Sequence, residues 1–484
     1  MVELSHFRRI RCGVHHLLNR FVHHVRTSGS TPGPAARFPL PPILEPVTDL
    51  ETRPERLIGP TRPTLRRAAP ALLGYAAVRA LGLLALAVWS AARDKSAYTL
   101  LTARWDSLWY VRVAELGYGY EVRLPNGDIH SNLAFFPLLP WLERLLHTVT
   151  PLSYADAGFV VSLVASLAAA WGIFAVADHV HGRRAGVCAV LLWAVLPVGI
   201  VQSMAYSESL FTALAAWSLY AVLTGRWLTA GTLALLAGLT RPVGLAVVAA
   251  VWTAGAVSFM TAGARSSVTS GAPSFVRQWR GRGGVGPSAR PGSAAPTPGA
   301  HATAHAPSPT DVPGGEGAPA WRRALGMLLA PLGAAGYVLW VGHRTGKGPL
   351  GYLDVQAGWR NGFDGGYAFA RFIGEKFTSF PSALAGAGLI VGVGLVIRLY
   401  ALCVRQRQPL PLLVYTGVVT ALALCASSYF GSKPRLLMPA FPLLLPLALA
   451  LARPRTSRAA LVTAGVAVVS AVYGAFWLNG SGPP

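Results

Sequence analysis

About eleven apolar segments, most of them close to twenty residues long, recur along this chain of 484 residues, and that spacing leaves few folding solutions. A segment of that length and polarity satisfies its backbone internally as a helix and spans the hydrocarbon of a bilayer. The segments run at about 70–91, 157–177, 184–202, 207–224, 227–240, 242–261, 322–342, 381–402, 409–428, 434–451 and 459–478. The expected fold is an all-α polytopic membrane protein, with the short segment 227–240 setting the margin on the count. A hydrophobic content of 53%, only 13% charged residues and a mean hydropathy of +0.45 agree with a bilayer as solvent.

Two stretches stand apart. Residues 1–69 are basic and rich in Pro and His, with no apolar period long enough for a core, and are expected to form a disordered cytoplasmic arm. Metal binding by the pairs His15-His16 and His23-His24 is the minor alternative there. No apolar run in the arm resembles the h-region of a cleaved signal peptide. Residues 262–320 are a low-complexity run of Gly, Ser, Pro, Ala and Arg, expected to be a disordered cytoplasmic linker. The chain is thereby divided into membrane regions 70–261 and 321–484, with loops 92–156 and 343–380 as their largest polar insertions. Cys12, Cys188, Cys403 and Cys425 lie far apart and offer neither a disulfide framework nor a zinc spacing.

The formal net charge of +23 would suggest nucleic acid in a soluble chain. In a membrane chain it has first to be divided between two sides. Placing the N-terminus in the cytoplasm puts roughly two-thirds of the Lys and Arg on that side, with Arg79 left at membrane depth, as the positive-inside rule requires. Such an intramembrane charge is expected to face the protein interior and a partner. The loops 92–156 and 343–380, and the short turns at Tyr206–Glu208, Arg241 and Lys433–Arg435, then lie on the extracytoplasmic face, where ATP and nucleotide sugars are absent.

The segment Arg104–Trp141 concentrates the chemistry. At 100° per residue, Trp105, Leu108, Trp109, Val113 and Leu116 share one helical face, the pattern of a helix lying at the interface. Asp106 and Tyr110 fall together at one edge of that face, and Glu115 lies about 180° from Asp106, so the two carboxylates cannot share a proton or a metal on one continuous helix. Asp106, flanked by tryptophan, is the candidate general base, because partial desolvation favours that role; a helix cap or a surface carboxylate is the alternative. Glu115 is expected to act as an ion-pair partner that fixes the helix. A second interfacial helix is expected within Ala134–Leu146, kinked or started by Pro137 and Pro140.

Arg241, Lys433 and Arg435 sit at short extracytoplasmic turns, where cations are costly unless paired. A lipid phosphate at the membrane surface would account for them. Snorkelling to headgroups, or pairing with Glu208, would also do so.

The series WDSLWYVRVAELGY (105–118), LAFFPLLPWL (133–142), YSESLF (206–211), GLTRPVG (238–244) and KPRLLMPAFPLLLPL (433–447) resembles the PIG-V group of integral membrane mannosyltransferases, of the GT-C class. The resemblance implies a GT-C-like fold and transfer of a sugar, mannose, from a polyprenyl-phosphate-linked donor to a hydroxyl on the extracytoplasmic face, with inversion. It implies Asp106 as the essential acidic residue and donor phosphate contacts from Arg241, Lys433 and Arg435; Trp105, Tyr110, Glu115 and Glu208 are further substrate-site candidates from their position in these segments. The implied partners are the polyprenyl-phosphate sugar, a lipid or cell-envelope glycan acceptor and membrane lipids, in the plasma membrane and without nucleic acid. No DxD-type pattern is present, so no metal and no cofactor is called for. A transporter or flippase of lipid-linked sugars should show internal repeats and charged or broken helices at midplane, whereas the residues offer only Arg79 at depth and no repeat. A non-catalytic scaffold using the linker is the remaining alternative.

Overall fold

The computed structural model describes residues 64–270, 319–480 and 482, all within the unit Gly59–Pro484. Most of the proposed arm and linker therefore lies outside the described residues. At their borders, helix α1 begins at Leu65, with the Thr64 side chain capping Arg67 N–H, and the helix after Leu245 continues to Ser270.

The architecture is helical. In chain order the elements are α1 (Leu65–Ala91), α2 (Ala97–Thr102), α3 (Asp106–Leu116), a hairpin of β1 (Glu121–Arg123) and β2 (Ile129–Ser131), α4 (Leu138–Val149), α5 (Tyr154–His181), α6 (Arg183–Ala194), α7 (Ser207–Leu223), α8 (Trp227–Gly238) and α9 (Leu245–Ser270). After the break come α10 (Ala320–Leu329), α11 (Leu332–Thr345), α12 (Gly351–Gly358), β3 (Gly362–Phe363), α13 (Tyr367–Glu375), α14 (Ser382–Arg405), α15 (Leu410–Cys425), β4 (Ala426–Ser427), α16 (Lys433–Leu437), α17 (Leu445–Ala452) and α18 (Thr456–Leu478).

Among the described residues, six helices are long and apolar enough to cross a membrane, and a seventh crossing arises if the pair Phe430–Leu437 and Phe441–Ala452, bent by 76°, is one broken span. By this criterion of length and composition the expected count of about eleven is not confirmed. The shortfall lies in α6, α7, α8 and α15, with 12, 17, 12 and 16 helical residues. Hydropathy alone reads through their ends; in 184–202 the helix stops at Ala194 and the chain continues as a 3-10 turn from Gly199 to Ser203. Pro197 in that gap cannot supply a helical backbone donor.

Arg79 is buried in α1 and donates to the carbonyls of Ala194 and Gly199. The partners of this charge are thus a carbonyl at the end of α6, which a helix C-terminus favours, and one in the following 3-10 turn, rather than a carboxylate. At the opposite end of α1, Arg67 forms a two-pronged pair with Asp178 of α5, Nε to Oδ2 at 2.6 Å and Nη2 to Oδ1 at 2.8 Å.

The polar insertions gather at the end of the bundle where α1 stops. Gly117, at φ 78°, ends α3 and turns the chain into the β1–β2 hairpin, paired Glu121 to Ser131 and Arg123 to Ile129. Pro137 precedes α4 and Pro140 occupies its first turn, where no backbone donor is needed, so the prolines start this helix rather than kink it. Helix α11 and the loop 346–381 join them: Tyr337 Oη of α11 donates to Leu133 O and Phe135 O, Trp359 Nε1 of the loop donates to Ser131 O at 3.0 Å, and β3 pairs with β4. Gly358 lies so close to Ile129 that a Cβ there would meet its carbonyl at 2.3 Å. At the chain's other extremity, Lys95 and Arg104 donate to the carbonyls of Asn479, Leu478 and Gly480 at the end of α18.

Candidate active site

Four charged side chains from four distant segments meet at this end of the bundle. Asp106 opens α3, Glu208 lies in the first turn of α7, Arg241 lies in the turn between α8 and α9, and Arg435 lies in the five-residue α16. Arg435 Nη1 lies 2.8 Å from Asp106 Oδ2, and its Nε lies 3.2 Å from Glu208 Oε1. Arg241 Nη1 lies 2.5 Å from the same Oε1. The carboxylates differ in access: the Glu208 side chain is 1% exposed and that of Asp106 is 26% exposed. Both open a helix, where the N-terminal dipole favours negative charge.

Hydroxyls and rings hold the cluster from behind. Ser207 Oγ accepts from Arg241 Nη1 at 3.2 Å and shares a hydrogen bond of 2.7 Å with the buried Tyr110 hydroxyl. The Arg435 guanidinium lies 5.1 Å from the centre of the Tyr206 ring. Tyr110 in turn meets Phe135 edge to face at 5.2 Å, and Phe135 stacks on Trp109 at 5.6 Å. Trp359 closes this aromatic group at 4.9 Å from Trp109. Ser207 and Trp359 escaped the sequence reading. The small hydroxyls around Glu208 in YSES were the available signal for the first; for the second, a lone tryptophan in a polar loop carries none.

Trp105 adopts φ 52° and ψ −123°, which is sterically costly for a residue with a bulky side chain, directly before Asp106. Its ring lies 4.1 Å from the Arg104 guanidinium, and Arg104 is fixed on the last carbonyls of α18. The strained position therefore sets the point at which α3 starts.

Glu115 and Lys433 are not part of the cluster. Glu115 is exposed and enters no ion pair among the described residues; its backbone carbonyl, with that of Ala114, accepts from Arg144 at the end of α3. Its expected ion-pair role is thus replaced by a backbone cap. Lys433, two residues before Arg435, donates to the carbonyls of Ala423 and Ala426 and lies near the rings of Phe369 and Phe430. The lysine closes the carbonyl end of α15 and joins it to α13. Its amine is directed away from the guanidiniums with which sequence proximity had grouped it.

Glu143 is a residue that the apolar pattern of 134–146 conceals. It is fully buried on the face of α4 that packs on α5, with its carboxyl over Gly158, where a Cβ would lie 2.4 Å from Oε1. Among the described residues neither carboxyl oxygen has a hydrogen-bond partner. Nearby polar groups are engaged elsewhere: Arg144 on α3, His147 with Leu152 O, and Asp156 with Ser153 and Tyr98. Burial pushes this carboxyl well above the usual carboxylate range. The unfolded chain then releases this proton at lower pH than the folded one, so rising pH favours unfolding until the folded value is passed. Glu143→Gln should accordingly show a thermal midpoint that gains on the wild type from pH 5 to pH 8. A difference constant across that range would contradict the uncharged burial of Glu143.

Residues 80–262 match the family model described as Mannosyltransferase (PIG-V). Among solved structures, the chain is similar to ArnT from Cupriavidus metallidurans bound to undecaprenyl phosphate, with a TM-score of 0.45 and 14% identity over 83% of this chain and 63% of that one. It is also similar to ArnT from the same organism in the apo state, with a TM-score of 0.42 and 16% identity over 80% and 61% of the two chains. The matched regions thus cover less than two thirds of the length of either structure. No curated protein matches the chain.

Proposed function

We propose that this chain, a multi-pass membrane glycosyltransferase by its PIG-V mannosyltransferase match over residues 80–262, transfers mannose from a polyprenyl-phosphate-linked donor to an acceptor hydroxyl. The observation that carries this reading is the joining of Asp106 to Arg435, and of Glu208 to Arg241 and Arg435, in one cluster at the end of the bundle. Three of the four residues fall inside the matched region; Arg435 adds the fourth from outside it.

Asp106 accepts the proton of the acceptor hydroxyl. The hydroxyl oxygen forms its bond to the anomeric carbon on the face opposite the phosphate, and the bond from that carbon to the phosphate oxygen breaks, so the sugar configuration inverts. Polyprenyl phosphate leaves with the bonding electrons. Arg241 and Arg435 stabilise the negative charge that grows on it, which is where a preorganised cation accelerates such a step. Trp105, Tyr110 and the aromatic group around Trp109 shape the approach. The excess of Lys and Arg in the segments read as cytoplasmic supports a site on the extracytoplasmic face of the plasma membrane with the N-terminus inside, and reporter fusions to the loops test that orientation. A lipid-borne donor suits that side, and the acceptor is a lipid or a cell-envelope glycan.

The test supplies membranes containing the protein with polyprenyl-phosphate mannose labelled in the sugar. A new labelled glycosidic product is expected, with none from GDP-mannose once endogenous polyprenyl phosphate is removed. Transfer from GDP-mannose under those conditions would overturn the donor class. Passage of intact labelled lipid across the bilayer without a new bond would favour the transporter.

A further inference from the structure

The two carboxylates of the cluster are not equivalent. Glu208 is almost fully enclosed and is approached by both Arg241 and Arg435, whereas Asp106 lies at the more open edge and is approached by Arg435. Arg435 divides its guanidinium between them, with Nε toward Glu208 and Nη1 toward Asp106. The four charges cancel as they stand. An anionic group reaching Arg435 therefore meets a guanidinium already paired, and a carboxylate has to give way. Glu208 is held by two cations in a water-poor position, where losing a partner is costly. Asp106 can turn toward water.

We propose that Asp106 is an exchangeable counter-ion of Arg435: the donor phosphate takes its place on Nη1, and the displaced carboxylate becomes free to turn to the acceptor hydroxyl. Glu208 stays in place and keeps both guanidiniums aimed at the phosphate. The inference rests on the donor reading given above and adds an order to it. The base is unmasked by the donor, so the acceptor is activated only after the sugar phosphate is seated. Asp106 thereby competes with the ligand that its own chemistry requires.

The consequence runs against the usual effect of an inactivating substitution. Asp106→Asn removes the competing charge and should bind a prenyl phosphate more tightly than the wild type, by about 5- to 20-fold, within the usual range for coupled binding events. The experiment titrates purified protein in detergent with farnesyl phosphate by calorimetry, for the wild type, Asp106→Asn, Asp106→Ser and Arg435→Ala. Whichever Asp106 variant keeps the wild-type thermal midpoint is the one compared. Tighter binding in that variant, with binding lost in Arg435→Ala, is the expected result. Equal or weaker binding in the Asp106 variant, with the wild type still binding, would overturn the exchange and leave the donor reading standing. No binding by the wild type would overturn the phosphate-donor reading itself.

Discussion

Asp106→Asn is expected to lower the rate of sugar transfer by about 100- to 10,000-fold, the range a positioned general base contributes, while leaving the amount of folded protein unchanged. The position allows the two effects to be separated. Asp106 is the first residue of α3 and its side chain is about one-quarter exposed, and when its charge is removed the buried Arg435 keeps Glu208 as an ion-pair partner. Asparagine preserves the side-chain outline and forgoes only the modest favourable interaction of a carboxylate with the first turn. What it lacks is the capacity to take a proton from a hydroxyl. Initial rates with labelled polyprenyl-phosphate mannose, normalised to protein that elutes as a single species, provide the measurement. Activity above about one-tenth of the wild-type rate would remove Asp106 from the role of base, since that residue would then supply less than the weakest general-base contribution. Asp106→Glu keeps a proton acceptor but moves it by one methylene group, and should recover part of the rate; proximity effects of this kind are sensitive to about an ångström.

The main outline of the fold was legible because hydrophobic length is a local property. Each of the six long apolar helices overlaps a segment that hydropathy alone identifies. The count of eleven is not confirmed where helices are shorter than the apolar run containing them, as at Ala194 and Gly238, because hydropathy does not register where backbone hydrogen bonding stops. The site was partly legible for a different reason. A charge beside a membrane span is costly, so Asp106, Glu208, Arg241 and Arg435 each attract notice as isolated departures from the apolar pattern. Which cation faces which carboxylate was not legible, because it depends on the rotation of short elements. Lys433 and Arg435 are two residues apart, and one helical turn directs the first to the carbonyls of α15 and the second to Asp106 and Glu208. Glu143 was hidden by the same limit. A single acid in an amphipathic helix is ordinarily placed on the polar side, and only the packing of α4 on α5 puts it inside.

The placement of Arg241 shows how the cluster is kept in register. Thr240 is buried, and its hydroxyl donates to Ala237 O at the end of α8, while Pro242 opens the following 3-10 turn with its fixed backbone angle. Leu138 N–H donates to Leu239 O, which ties the start of α4 to this same turn. The guanidinium is therefore carried on a short, doubly anchored turn rather than on a mobile loop. Glu208 is carried on the first turn of a helix that is buried along most of its length. These two residues form the anchored half of the site, and under the proposed exchange the pairing of Asp106 with Arg435 is what the ligand changes.

Arg435→Ala is expected to have the largest combined effect, abolishing measurable use of the lipid donor and lowering stability by about 3–5 kcal/mol, the cost of removing one partner from a buried ion pair. The guanidinium is 9% exposed and serves both carboxylates, and its loss leaves Glu208 with Arg241 alone and Asp106 with no cation in the cluster. The ring of Tyr206 loses its cation as well. A lysine at this position separates charge from geometry. Its single ammonium restores a positive charge but cannot engage two carboxylates through separate, fixed nitrogens, as the planar guanidinium does. Arg435→Lys should therefore recover part of the thermal midpoint lost in Arg435→Ala, yet remain at least about tenfold weaker than the wild type in apparent affinity for the lipid donor, the factor that about 1.4 kcal/mol of lost interaction produces. Thermal unfolding in detergent and donor titrations at saturating acceptor give the two quantities independently. If lysine restored donor affinity and stability in parallel, the site would need only a positive charge near Asp106. If alanine left the donor affinity unchanged, the phosphate would be held elsewhere, and Arg435 would be confined to keeping α3 and α7 together.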